Sequence, residues 1–168
     1  PYPGMGAGDP DLYKGFAWRN WSLLRTEGVF GGIFPRSLWV TKGSSEWRRR
    51  VIPNSVINVD FCRNRGEWMF EGVNPGLQIT LVTVQKESGP VLMVSGEYDG
   101  LEVFNSQKDA SGVAIPIEKL AETDAEFCIP AIDSIEAIQL WTLLLNFPAL
   151  SDGRLPNHRS DFRCSPAN

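Results

Sequence analysis

The run "LQITLVTVQ" (residues 77–85) constrains this chain more than any other stretch. Apolar side chains fill its middle almost without interruption, which is the signature of a strand at the centre of a sheet. The earlier "SVINVDFC" (55–62) alternates Ile57, Val59 and Phe61 against Asn58 and Asp60, the period-two pattern of a strand. A third apolar strand, "VFGGIF" (29–34), carries two glycines that suggest close approach by another backbone.

Helical patterns frame these strands. Asp9 followed by Pro10 forms a helix start, the carboxylate able to cap free amides and the proline preset for the first turn. Tyr13, Ala17, Trp21 and Leu24 recur at helical spacing, and Gly28 closes the helix. Ser44 or Ser45 caps a short helix reaching Val51, and Pro53 and Asn54 stop it. The order helix, strand, helix, strand, long loop, strand predicts an α/β sheet with a crossover unit. Beyond "KESGP", the stretch "VLMVSGEYDGLEVF" reads as a strand or hairpin. An acidic segment, "IPIEKLAETDAEF", then leads to a helix expected to be capped by Asp133, with Glu136 as its third residue. Ile135, Ile138, Trp141 and Leu145 form its buried stripe.

Between the second and third strands, "RNRGEWMFEGVNPG" sets Trp68, Met69 and Phe70 in a loop. Loops run over the surface, so side chains this large either plug the core beneath or offer a contact surface. The charge distribution is compatible with the second use. From Arg36 to Arg65 seven basic residues stand against two acidic ones, whereas Gly66 to Asn146 holds three basic and thirteen acidic residues. Such asymmetry fits one face meeting a polyanion, with an ordinary solvated basic face as the competing reading.

Several chemistries lack their residues. His158 is the single histidine and sits in a polar tail, so neither a Ser-His-Asp nor a Cys-His arrangement has support, and no metal cluster has adequate ligands. Cys62, Cys128 and Cys164 are far apart and without a C-x-x-C pair, which argues for a reducing compartment rather than a disulfide framework. "GMGAGD" is glycine-rich, yet no strand precedes it, and no Walker loop is present. The apolar run "IQLWTLLLNF" is too short to span a bilayer. With 42% hydrophobic residues among 168, the chain has room for a sizeable core and reads as soluble. It opens at Pro1 and closes in the loop-like "RSDFRCSPAN", so a piece of a longer protein is expected.

The segment "AGDPDLYKGFAWRNWSLLRTEGVFGGIFPRSLWVTKGSSEWRR", followed by "NRGEWMFEGVNPGLQITLVTV", resembles the second half of the catalytic domain of adenine-specific DNA methyltransferases. The closest group is the Eco57I-like class, which includes fused type II and IIG restriction-modification enzymes. The resemblance rests on the GDPDLYK helix start, the Gly-Gly strand ending in Pro-Arg-Ser, the "GSSEWR" helix and an aromatic residue shortly before the last strand. It implies a partial Rossmann-like sheet of the last three strands, the final one antiparallel and inserted between the other two, followed by a smaller α+β extension. Residues 1–89 would form the target-base side of the catalytic domain, and residues 90–168 an extension leading to an absent target-recognition domain.

The implied activity is transfer of a methyl group from S-adenosylmethionine to the exocyclic amine of adenine in bacterial, cytoplasmic DNA. The glycine-rich cofactor loop and the Asn-Pro-Pro-Tyr/Trp catalytic motif would lie in the other half of the domain. Phe70, with Trp68 second, matches the aromatic residue that lies against the flipped adenine in double-stranded DNA. Arg36, Ser37, Lys42, Arg48, Arg49, Arg63 and Arg65 become DNA-contact candidates, with Asp9 and Asp11 near the cofactor. No catalytic residue and no metal ligand is expected in this chain, and no membrane. An exposed "VFGGIF" edge, deprived of its neighbouring strand, would favour self-association. A non-catalytic nucleic-acid-binding or assembly module of a defence complex is the alternative.

Overall fold

A computed structural model describes residues 10–87, 89–109, 112–130 and 134–147 as an α/β fold with one five-stranded mixed sheet. The chain runs through α1 (Leu12–Leu23), β1 (Val29–Pro35), α2 (Ser37–Val40), α3 (Ser45–Val51), β2 (Ser55–Arg63), β3 (Gln78–Lys86), β4 (Val91–Tyr98), α4 (Leu101–Gln107), β5 (Val113–Ile115), α5 (Ile117–Thr123) and α6 (Ile135–Leu144). Among the described residues no helix is long and apolar enough to cross a membrane.

The strand order is β1-β3-β2-β4-β5. The apolar run of β3 therefore lies between two strands, antiparallel to both, with Val82 opposite Gly32 on one side and Val59 on the other. Its composition follows from its faces: Thr80, Val82 and Val84 are buried on one, and on the other Ile79 is buried and Leu81 half-buried. Thr80, one of its two threonines, is fully buried and satisfied: it receives the Trp39 indole N–H at 3.0 Å and donates to the Phe34 carbonyl at 3.0 Å.

One face of the sheet carries the core. Phe34, Val82, Val84, Ile57, Val59, Phe61, Leu92 and Val94 pack there against Trp21, Leu38, Trp39, Trp47, Leu120 and Ile138 from the helices. Each such side chain contributes about 1.5–3 kcal/mol by leaving water. The alternate residues Val29, Ile33, Asn58, Thr83 and Val91 point the other way and are exposed. Strand β1 pairs only with β3 among the described residues, so its outer backbone is open.

Helix α1 buries Ala17 and Trp21, half-buries Tyr13 and Trp18, and leaves Leu12, Phe16 and Leu23 exposed. Its cap position is Asp11 rather than Asp9, which lies outside the described residues, and the Asp11 side chain makes no capping bond.

The segment after residue 89 joins the same sheet. Strand β4 runs parallel to β2, and β5 pairs antiparallel with β4. The expected strand or hairpin ends at Tyr98, and "LEVF" starts a helix instead. Gly96 takes a left-handed φ of 99° close against the Phe61 carbonyl, where a side chain would collide, and the β2–β4 register breaks there. Phe104 of α4 then packs edge-on against Tyr98, with centroids 5.4 Å apart. Helix α6 is capped by Ser134, whose hydroxyl accepts the Ala137 N–H at 3.1 Å. Asp133 is therefore not the cap, and Glu136 is the second helical residue. Of the expected stripe, Ile138 and Leu145 are buried and Trp141 is half-buried, while the Ile135 side chain lies outside the described ones.

A candidate nucleic-acid interface at the carboxyl edge of the sheet

Strands β1, β2 and β4 end, and β3 begins, at one edge of the sheet, the side on which ligands bind in open α/β folds. The loop between β2 and β3 is organised there by Asn64, which is fully buried. Its Oδ1 accepts the N–H groups of Met69 and Phe70, both at 3.1 Å. Its Nδ2 donates to the carbonyls of Phe70 at 2.9 Å and Val73 at 3.1 Å. Both donors and both lone pairs of the amide are thus engaged. Gly66 and Glu67, at φ 68° and 58°, reverse the chain between Asn64 and the aromatic residues.

The two aromatic candidates separate clearly. Trp68 donates its indole N–H to the Arg63 carbonyl at 2.8 Å and packs against Phe104, ring centroids 5.9 Å apart. It is a wall of the loop. Phe70 makes no such ring contact and is 37% exposed, so its face is available.

A chain of polar contacts ties the four strand ends together. Arg36 Nη1 donates to Gln78 Oε1 at 2.8 Å, and Gln78 Nε2 donates to Glu97 Oε1 at 2.7 Å. Arg63 grips the same carboxylate with two nitrogens, Nε at 3.2 Å and Nη2 at 2.8 Å. Burial lowers the Arg36 guanidinium from its ordinary value, an effect that Glu97 opposes. Its Nε–H is buried without a hydrogen-bond partner. Arg36, Ser37, Pro35, Val40, Leu77 and Gln78 line a cleft of about 250 Å³. The Trp39 bond to Thr80 holds α2 down beneath this cleft, which keeps Arg36 and Ser37 in place.

The remaining candidates scatter. Arg48 is fully buried, and its expected DNA contact is ruled out. Its Nε donates to the Glu126 carbonyl at 2.9 Å, Nη1 to the carbonyls of Leu38 and Thr41 at 2.8 and 3.0 Å, and Nη2 to Cys128 Sγ at 3.3 Å. The turn of α3 that buries Trp47 and Val51 also points Arg48 inward, where α2 and the segment after α5 present free carbonyls. Arg49 and Arg50 are exposed, but α3 delivers the chain to the start of β2, so they lie toward the opposite edge from Phe70. There they line a cleft of about 380 Å³ with Trp18 and Glu46. Lys42 is exposed in the turn before α3. Arg65 reaches Asp99 at 3.3 Å.

Asp11 is exposed at the start of α1, whereas Asp9 and His158 lie outside the described residues. Burial pushes the Cys62 thiol up to about 12 and the Cys128 thiol up to about 11, so neither is poised as a nucleophile. Among the described residues no cluster of His, Cys, Asp or Glu could hold a metal ion.

Sequence reasoning missed Asn64, Gln78 and Glu97. An asparagine after a strand is an ordinary turn signal, and a carboxylate in an acidic half of the chain gives no hint of its partner. No protein-family model matches the chain, and a search of curated proteins finds no significant match.

Proposed function

We propose that the chain forms the target-base half of an S-adenosylmethionine-dependent, adenine-specific DNA methyltransferase domain of a bacterial restriction-modification enzyme. The observation that carries this reading is the placement of β3, antiparallel between β1 and β2, which brings the Phe70 loop and the Arg36 cleft to one edge. An enzyme acting on a base in a duplex must extrude it, at a cost of about a few kcal/mol, and hold it by stacking worth about 1–3 kcal/mol. Phe70 supplies the stacking face. Arg36 and Ser37 supply polar contacts to the adjoining backbone, which position the strand without reading its sequence.

The described residues do not fit the cofactor. Asp11 is an exposed helix cap, and no glycine-rich loop follows a strand, so no step of methyl transfer is assigned to this chain. Its own part is to receive the base, hold it and exclude water from one side. The remaining half of the domain would dock on the open β1 edge, where Val29 and Ile33 are exposed, and on the Leu12, Phe16 and Leu23 stripe of α1. Without that half, the chain is expected to self-associate in light scattering, and Ile33→Lys to suppress the association. A monomer at all concentrations would count against the docking surface.

The functional test joins the chain to its missing half. Phe70→Ala should lower methyl transfer to adenine in duplex DNA about tenfold, with cofactor affinity unchanged. Full activity in this variant would refute the assignment. A non-catalytic stacking module is the second reading, favoured by the same exposed Phe70 ring. Single-strand affinity that is indifferent to adenine would select it.

A further inference from the structure

Fourteen residues separate β2 from β3, a length at which a loop without regular structure samples many conformations. Phe70 is nevertheless held on both sides of its α-carbon, its N–H and its carbonyl each bonded to the one Asn64 side chain. The neighbouring restraints at Met69 and Val73 come from the same amide. Trp68 is fixed independently, through the Arg63 carbonyl and the Phe104 ring.

We propose that Asn64 is a positioning residue for base recognition, setting Phe70 in the orientation in which its ring receives a nucleobase. This rests on the functional reading above. The chemistry is particular to a short uncharged amide, which offers two donors and two acceptor lone pairs on one planar group. An aspartate would keep the bonds from Met69 and Phe70 but set a charge against the Phe70 and Val73 carbonyls. An alanine would leave four loop backbone groups without their partner, and these recover bonds to water only if the loop opens.

The test uses the chain with Asn64→Ala, Phe70→Ala and both together, and two duplexes of one sequence. One duplex is fully paired; the other has a single adenine opposite an abasic site. The parent chain should prefer the second by about tenfold. Each single variant should lose that preference, and the double variant should behave as Phe70→Ala alone, because Asn64 acts through Phe70. Amide exchange at Met69 and Phe70 should accelerate in Asn64→Ala, while the salt dependence of binding stays as in the parent.

Additive losses in the double variant would overturn the proposal, as would a retained preference or unchanged amide exchange in Asn64→Ala. If the parent shows no preference while the amides still accelerate, the functional reading falls and takes the recognition role with it. The loop restraint would then stand as structure only. Should Asn64→Ala fail to fold, Asn64→Asp carries the duplex comparison alone. It keeps the size and the acceptor of the Met69 and Phe70 N–H groups, whose exchange should then stay slow, and loses both donors to the Phe70 and Val73 carbonyls. The preference should therefore fall, and a retained preference would overturn the proposal.

Discussion

The arginines of α3 and those at the carboxyl edge of the sheet serve opposite ends. In α3, Arg48 is enclosed and spends its guanidinium on three backbone carbonyls and a thiol, while Arg49 and Arg50 stay in water. At the carboxyl edge Arg63 and Arg65 reach the surface but face Glu97 and Asp99, acids from β4 and the turn after it. Among the described arginines of this edge, Arg36, tied to a neutral glutamine, has no directly bonded acid. A run of basic sequence is therefore a poor guide to a basic surface. Acids from β4 and the turn after it fold back onto two of the run's basic residues, Arg63 and Arg65.

The largest effect that could break this contrast is on stability. Arg48→Ala should cost about 3 kcal/mol or more in urea unfolding, because it strands buried carbonyls, whereas Arg49→Ala should stay within about 0.5 kcal/mol. Equal effects would mean that Arg48 is not the internal strut described here. Next in size is the edge. Glu97→Gln releases Arg63 from its ion pair, costing about 1 kcal/mol, and should steepen the salt dependence of DNA binding by about one phosphate contact. An unchanged slope would show that Arg63 has no access to DNA even when freed.

The smallest effect concerns the thiols. Cys128 is held up by burial in spite of the adjoining Arg48, and Cys62 is held up by burial with Asp60 and Glu97 nearby. With folded values of about 11 and about 12, both should escape iodoacetamide at pH 8 in the native chain and react on unfolding, as read by peptide mass spectrometry. Rapid native labelling of Cys128 would show that the Arg48 pocket is open.

The sheet was legible because its signals are local. The nearly continuous apolar run from Ile79 to Val84 announces a central strand, and the spacing of Ala17 and Trp21 announces the inward face of α1. Helix α4 was not legible, since "LEVF" carries strand-like residues and turns helical only where Phe104 finds Tyr98 and Trp68. Three consecutive arginines likewise carry no phase. What turns Arg48 inward is a carbonyl and a thiol some 80 residues further along the chain. The choice between Trp68 and Phe70 needed the same long-range information, because it depends on which ring α4 covers.

That choice carries the account, and one paired measurement tests it. Phe70→Ala and Trp68→Ala are compared for stability by urea unfolding and for preference toward a duplex with one unpaired adenine. Phe70→Ala should lose the preference about tenfold and cost about 1 kcal/mol of stability, less than Trp68→Ala, since Phe70 is only partly buried. Trp68→Ala should lose about 2 kcal/mol or more of stability, because it removes the ring packed on Phe104 and the bond to the Arg63 carbonyl. A stable Trp68→Ala chain that has lost the adenine preference, beside a Phe70→Ala chain that keeps it, would contradict the assignment and move the stacking face to Trp68.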